Sequence, residues 1–311
     1  KEELYLVKKS QTDAQNGTVI FKAFTNNSGS GDITVEYNNG KRGKNPECKA
    51  IRSMSVLSQM QSRLPSDIEK YAQTIKTIQY VQTTLSNMFV LEPIPSLMRG
   101  YSRIGDSVLR RNCSNISAVL ASIQENSPDD WQKFCDIIES LPENEIQGIS
   151  FVKTTINDVI LIQKEQNGKS TENIDATRLS DGTLRCIAVL AAVISEPEHS
   201  LIAIEELDNG IHPSRIIKLI KSLCEIAQRR KIDLVLTTHN VTVLNGLSKE
   251  DVLGVSVVYR DKETQASRIV PFVEIENQAG ILASGGIGTA MESERLLDEI
   301  KNEKEIVPFD F

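Results

Sequence analysis

Several things are missing from the 311 residues, and each absence narrows the reading. No uninterrupted apolar run approaches the ~18 residues of a membrane-spanning helix. The opening Lys1-Glu2-Glu3 is not a signal peptide, so a soluble, cytoplasmic protein is expected, with no membrane contact. The five cysteines, Cys48, Cys113, Cys135, Cys186 and Cys224, are far apart, odd in number and without CxxC spacing. That argues against a disulfide framework and a zinc knuckle, and leaves ordinary thiols. Positive charge is in deficit: 35 Lys+Arg against 42 Asp+Glu give a net charge of −7, which does not by itself suggest DNA binding. Internal repeats and low-complexity tracts are absent as well.

What is present suits a globular α/β protein. Hydrophobic residues make up 40% of the chain, and the length allows about two domains, or one large domain with an insertion. Residues 17–37 alternate in strand fashion around the turn-forming stretch Asn26 to Gly31, the pattern of a β-hairpin. From Ile51 to about Leu85 the period becomes helical, with Pro65-Ser66-Asp67 as a break. A strand at 88–91, helices at 116–124 and after Ser127-Pro128, and strands at 149–153 and 159–163 follow. From Leu179 short apolar strands (201–204, 232–236, 252–258) alternate with helices (182–194, 213–229), which predicts a parallel sheet covered on both faces. A charged helix from Glu292 and a loose tail end the chain.

Four marks stand in order along this second half: Leu179-Ser180-Asp181-Gly182, Glu205-Glu206, Asp208 and Thr237-Thr238-His239. Glu205 and Glu206 end an apolar strand, at the carboxyl edge where open α/β sheets bind ligands. There one acid can hold Mg²⁺ and the next can orient an attacking water; solvated acids at a strand end give the same pattern. His239 closes the following strand at the same edge, within reach of a phosphate or of that water, though a lone histidine also serves structural ends. Ser180 and Asp181 are good helix caps, and a helix N-terminus with a hydroxyl and a glycine is equally an anion site.

Together these marks resemble the ABC-type P-loop ATPase heads of the SMC, RecF and OLD-like group. Within it the chain is similar to the compact ATPases of bacterial anti-phage defence systems of the Septu, retron-associated and PARIS type. The resemblance covers 149–290 and, more weakly, 88–145, through Ile94-Pro95-Ser96-Leu97-Met98-Arg99 and Asn115-Ile116-Ser117-Ala118-Val119-Leu120. It implies an ABC-ATPase head in four parts: a β-rich part over 1–49, a mostly helical insertion over 50–145, the core over 146–290, and a C-terminal helix and tail over 291–311. Leu179 to Gly182 would be the signature, contacting ATP held by a partner subunit. Glu205 would hold Mg²⁺, Glu206 would act on the attacking water, Asp208 would be the D-loop acid, and His239 the switch histidine. A head-to-tail dimer around ATP, or a higher oligomer, is implied, acting on a separate effector such as a nuclease. An ATP sensor with little turnover and a RecF-like head that binds duplex DNA are the alternatives.

The departures are specific. Asp181 stands where transporters have glycine, and Glu205 replaces the commoner, shorter Asp. No G-x-x-x-x-G-K-[S/T] occurs, and Gly168-Lys169-Ser170-Thr171 reads as a solvated turn. The expectation is that the first strands and the phosphate loop lie upstream of Lys1. Long heptad arms and an HNH-type histidine cluster are lacking in these residues, and a Toprim nuclease domain after the switch strand is not expected. Two basic stretches, Lys41 to Arg52 and Arg99 to Arg111, are candidates for a DNA contact. Ser284-Gly285-Gly286-Ile287-Gly288 reads as a flexible turn before the C-terminal helix.

Overall fold

A computed structural model describes residues 3–6, 18–24, 31–64, 68–142, 146–248, 250–261, 264–293 and 295–302. The turn at 26–30, the Pro65-Ser66-Asp67 break and the tail from residue 303 lie outside the described residues. The chain divides into two compact units, Lys1–Met88 and Phe89–Phe311.

The first unit is an antiparallel meander in the order β1 (Glu3–Leu6), β2 (Thr18–Phe24), β3 (Asp32–Tyr37), β4 (Glu47–Ile51), followed by α1 (Val56–Arg63) and α2 (Ile68–Ser86). The hairpin expected over 17–37 is the β2/β3 pair. Apolar residues of both strands, among them Phe21 and Val35, share a core with Met60 of α1 and Ile78 of α2. The buried Gln59 side chain fastens α1 to β4, accepting from the Ile51 N–H at 2.8 Å and donating to its carbonyl at 3.0 Å.

The second unit begins within β5 (Met88–Leu91) and continues through α3 (Pro95–Met98), β6 (Ser102–Arg103), α4 (Ile116–Asn126) and α5 (Pro128–Ser140). Pro128 opens α5 as expected, but Ser127 makes no side-chain capping bond. An antiparallel sheet is built on β8 (Asp158–Asn167): β7 (Ile146–Lys153) runs along one edge, while β6 and β9 (Ser170–Asp175) share the other. Gly168 and Lys169 turn the chain between β8 and β9, with Gly168 at φ +61°.

Next comes α6 (Asp181–Ser195), apolar on all sides and buried almost throughout from Gly182 to Ile194, as a helix at the centre of a core must be. It packs with β10 (Leu201–Ile204), α7 (Pro213–Arg230) and β11 (Asp233–Leu236) in one continuous core. β10 and β11 pair in parallel, Ala203 opposite Val235, and β5 lies on the other side of β10. The fold class is α/β.

One expected strand goes elsewhere. Residues 252–258 do not extend the parallel sheet; after α8 (Val241–Asn245), β12 (Ser256–Arg260) pairs antiparallel with β13 (Ser267–Pro271). The Asp261 carboxylate accepts from the Thr264 N–H at 2.7 Å and closes a local hairpin. Val258 and Ile269, paired across it, stay 66% and 55% exposed, whereas a strand in a doubly covered sheet is buried on both faces. Three short helices follow, α9 (Gln278–Ala283), α10 (Ile287–Glu292) and α11 (Arg295–Asn302). Among the described residues no helix is long and apolar enough to cross a membrane.

Candidate functional site

Because β10 and β11 are parallel neighbours, the residues that follow them emerge at the same edge. Backbone bonds lace the two exits together. The Thr237 N–H donates to the Ile204 carbonyl at 3.1 Å, and the Leu207 N–H donates to the Thr237 carbonyl at 3.2 Å. Side chains add to the lacing: the Glu206 N–H donates to the Thr237 hydroxyl at 3.0 Å, and the Thr238 hydroxyl donates to the Asp208 carboxylate at 2.6 Å. Glu206 itself has φ +45°, the left-handed region that a residue with a Cβ enters at a cost of about 1 kcal/mol. Its carboxylate accepts from the Asn209 amide at 3.3 Å.

The result is an open cleft of about 340 Å³ lined by Glu206, Asp208, Asn209, Gly210 and His239. Glu206 and His239 are exposed to it, and Asp208 is half-buried. Glu205 is exposed at the end of β10 but is not one of the lining residues. Among the described residues no three His, Cys, Asp or Glu side chains form a self-sufficient metal cage. The exposed carboxylates of Glu205 and Glu206 suit the mode in which Mg²⁺ takes one or two protein acids and completes its shell with water and phosphate.

Leu179, Ser180, Asp181 and Gly182 are placed by α6. Ser180 is its N-cap, accepting from the Thr183 N–H at 3.1 Å, and the two hydroxyls share a further hydrogen bond. Just before it, Asp175 caps a turn over 176–178. The Thr177 hydroxyl holds the Asp175 carboxyl below its usual range. Leu179 is buried, while Ser180 and Asp181 are exposed. Gly182 lies so near the loop after β10 that a Cβ there would stand 2.3 Å from the Gly210 carbonyl oxygen. The turn therefore touches the loop that lines the cleft, but none of its four residues lines the cleft itself.

Four further residues take part in ways that the sequence marks did not assign to them. Thr237 and Thr238 tie the two loops, and Gly210, at φ +72°, gives α6 its close approach. The fourth is Arg99, which donates to the Leu179 carbonyl at 2.8 Å and to Asp181 at 2.6 Å. Two other arginines of its basic stretch are also paired, Arg110 with Asp106 at 2.7 Å and Arg111 with Glu92 at 3.4 Å. In the earlier stretch Lys44 pairs with Glu47 at 3.4 Å. The glycine-rich segment runs into α10, where it serves packing: a Cβ on Gly288 would meet the Val241 carbonyl at 2.3 Å.

An α/β unit whose adjacent parallel strands end in acids and a histidine belongs to the class that binds ligands at the carboxyl edge of its sheet. Within that class, residues 78–245 match the family described as "AAA domain, putative AbiEii toxin, Type IV TA system", and the chain belongs to this family of AAA-type ATPase domains. No curated protein is similar to it at a significant level. Among solved structures it is similar to the Smc head domain, with coiled coil and joint, of Pyrococcus yayanosii: 11% identity, TM-score 0.36, over 53% of this chain and 30% of that one. It is similar to the SMC head domain of Thermotoga maritima at 12% identity and TM-score 0.35, over 78% and 74% of the two chains. It is also similar to the Smc head of Pyrococcus furiosus bound to the C-terminal domain of ScpA, at 9% identity and TM-score 0.37, over 93% and 82%.

Proposed function

We propose that the chain is the catalytic part of an ABC-type head that binds and hydrolyses ATP, dimerises head to tail around it, and controls a separate effector, a nuclease, in bacterial anti-phage defence. The carrying observation is the cleft itself, with Glu206, Asp208 and His239 lining one space at the ends of two parallel strands. Glu206 orients the attacking water, and His239 hydrogen-bonds the terminal phosphate. Glu205 would hold Mg²⁺, which would supply positive charge against the phosphates. The sequence has no glycine-rich phosphate loop, so the share of the site read from this chain is its hydrolytic edge.

Head-to-tail pairing is supported by the turn at Leu179 to Gly182, which is at a helix N-terminus, a place that attracts anions, yet does not line the chain's own cleft. In the dimer it meets the ATP of the other subunit. The family description names a toxin of a TA system, which supports a setting with a second protein.

The test is Glu206→Gln. Turnover of Mg-ATP should fall by about 100-fold or more, and ATP-bound dimers should persist in size-exclusion chromatography with light scattering. Unchanged turnover in the variant, or a wild-type protein that hydrolyses no ATP, overturns the reading. Effector control is tested by co-expression with the product of the neighbouring gene and measurement of nucleic-acid cleavage with and without ATP.

A further inference from the structure

We infer that Arg99 is a positioning residue for the turn Leu179-Ser180-Asp181, setting that turn in its working shape before a second subunit arrives. The inference rests on the ATPase reading for the purpose of the turn, but not for its geometry.

Arg99 follows α3 directly and is firmly based. Met98 beside it is fully buried, and the segment is anchored by the Glu92 and Ile94 N–H groups, which donate to the carbonyls of Arg111 at 2.9 Å and Asn112 at 3.2 Å. From that base one guanidinium nitrogen, Nη2, donates to both the Leu179 carbonyl and the Asp181 carboxylate, partners 80 and 82 residues away in sequence. Both bonds come from one nitrogen, so one guanidinium position serves the backbone and the carboxylate of the turn at once. The Arg99 side chain is 27% exposed and that of Asp181 is 65% exposed.

The charge matters as much as the hydrogen bonds. A helix N-terminus attracts anions, yet Asp181 puts a carboxylate in the first turn of α6, where it would repel an approaching phosphate. Arg99 cancels that charge, and its grip on the Leu179 carbonyl fixes the backbone from which the Ser180 hydroxyl projects. A carboxylate at position 181 thus becomes compatible with an anion site.

The test uses Arg99→Ala, Arg99→Lys and the double variant Arg99→Ala/Asp181→Asn in the full-length protein, with two readouts. In hydrogen–deuterium exchange, Arg99→Ala should speed exchange of the Thr183 and Leu184 amides by about tenfold, leaving α4 and α5 unchanged. In steady-state ATP hydrolysis, Arg99→Ala should lower kcat by about tenfold and move KM by less than about threefold. Arg99→Lys should recover part of kcat, and so should Asp181→Asn added to Arg99→Ala, since the uncompensated charge is gone. Unchanged exchange at Thr183 and Leu184 overturns the inference, as does a double variant no better than Arg99→Ala. If the wild type hydrolyses no ATP, the ATPase reading falls and the exchange result alone decides on Arg99.

Discussion

The Thr238 hydroxyl donates to the Asp208 carboxylate at 2.6 Å while accepting from the Asn240 N–H at 3.0 Å. One side chain thereby joins the loop after β10 to the loop that carries His239. Thr238→Val keeps the branched shape and removes the bond. ATP turnover should fall by about tenfold while the melting temperature drops only a few degrees, as expected for about 1 kcal/mol of lost hydrogen bonding. Thr238→Ser should retain activity, and a valine variant as active as the wild type would refute the coupling.

Gly182 and Gly210 make a second joint that tolerates no extra atom. A methyl on Gly182 meets a backbone oxygen at 2.3 Å, which cannot rotate away as a side chain would. Gly182→Ala should therefore cost about 1–3 kcal/mol in chemical denaturation. Gly254→Ala, with nothing within 4 Å of the added carbon, should stay within about 0.5 kcal/mol of wild type.

Burial pushes the Cys113 and Cys186 thiols up to about 12 from 9.0, and Cys135 to about 11. Thiolates are the reactive form, so alkylation at pH 8 followed by mass spectrometry should find Cys113 and Cys186 unmodified until the protein unfolds. A raised pKa means the folded state holds its protons longer than the unfolded chain does. The stabilisation is complete below about pH 9 and is lost as pH rises toward about 12. Melting temperatures should fall across that alkaline window, with a shallower slope in Cys113→Ala.

Several features that depend on a few adjacent residues were legible in the sequence, though the cap expected at Ser127 was not formed. Ser180 caps α6, Pro213 opens α7, and Glu205 and Glu206 end an apolar strand. Pairings between distant segments were not. The Arg99 to Asp181 contact spans 82 residues, and although Arg99 stood in a basic stretch and in a segment of the family resemblance, neither signal named its partner. Residues 256–260 show the same limit: their apolar alternation suits either sheet, and the turn at Asp261 decides the partner. β9 was missed because Ser170-Thr171-Glu172-Asn173 is polar and exposed; it is a strand only because β8 offers an edge.

The left-handed backbone at Glu206 has a bearing on any effort to make this protein hardier. Glycine or asparagine accepts φ +45° more readily than glutamate, so a screen for thermal tolerance would favour either at this position. Such a winner would melt later and lack the carboxylate that faces the cleft, so at residue 206 robustness and chemistry are set against each other.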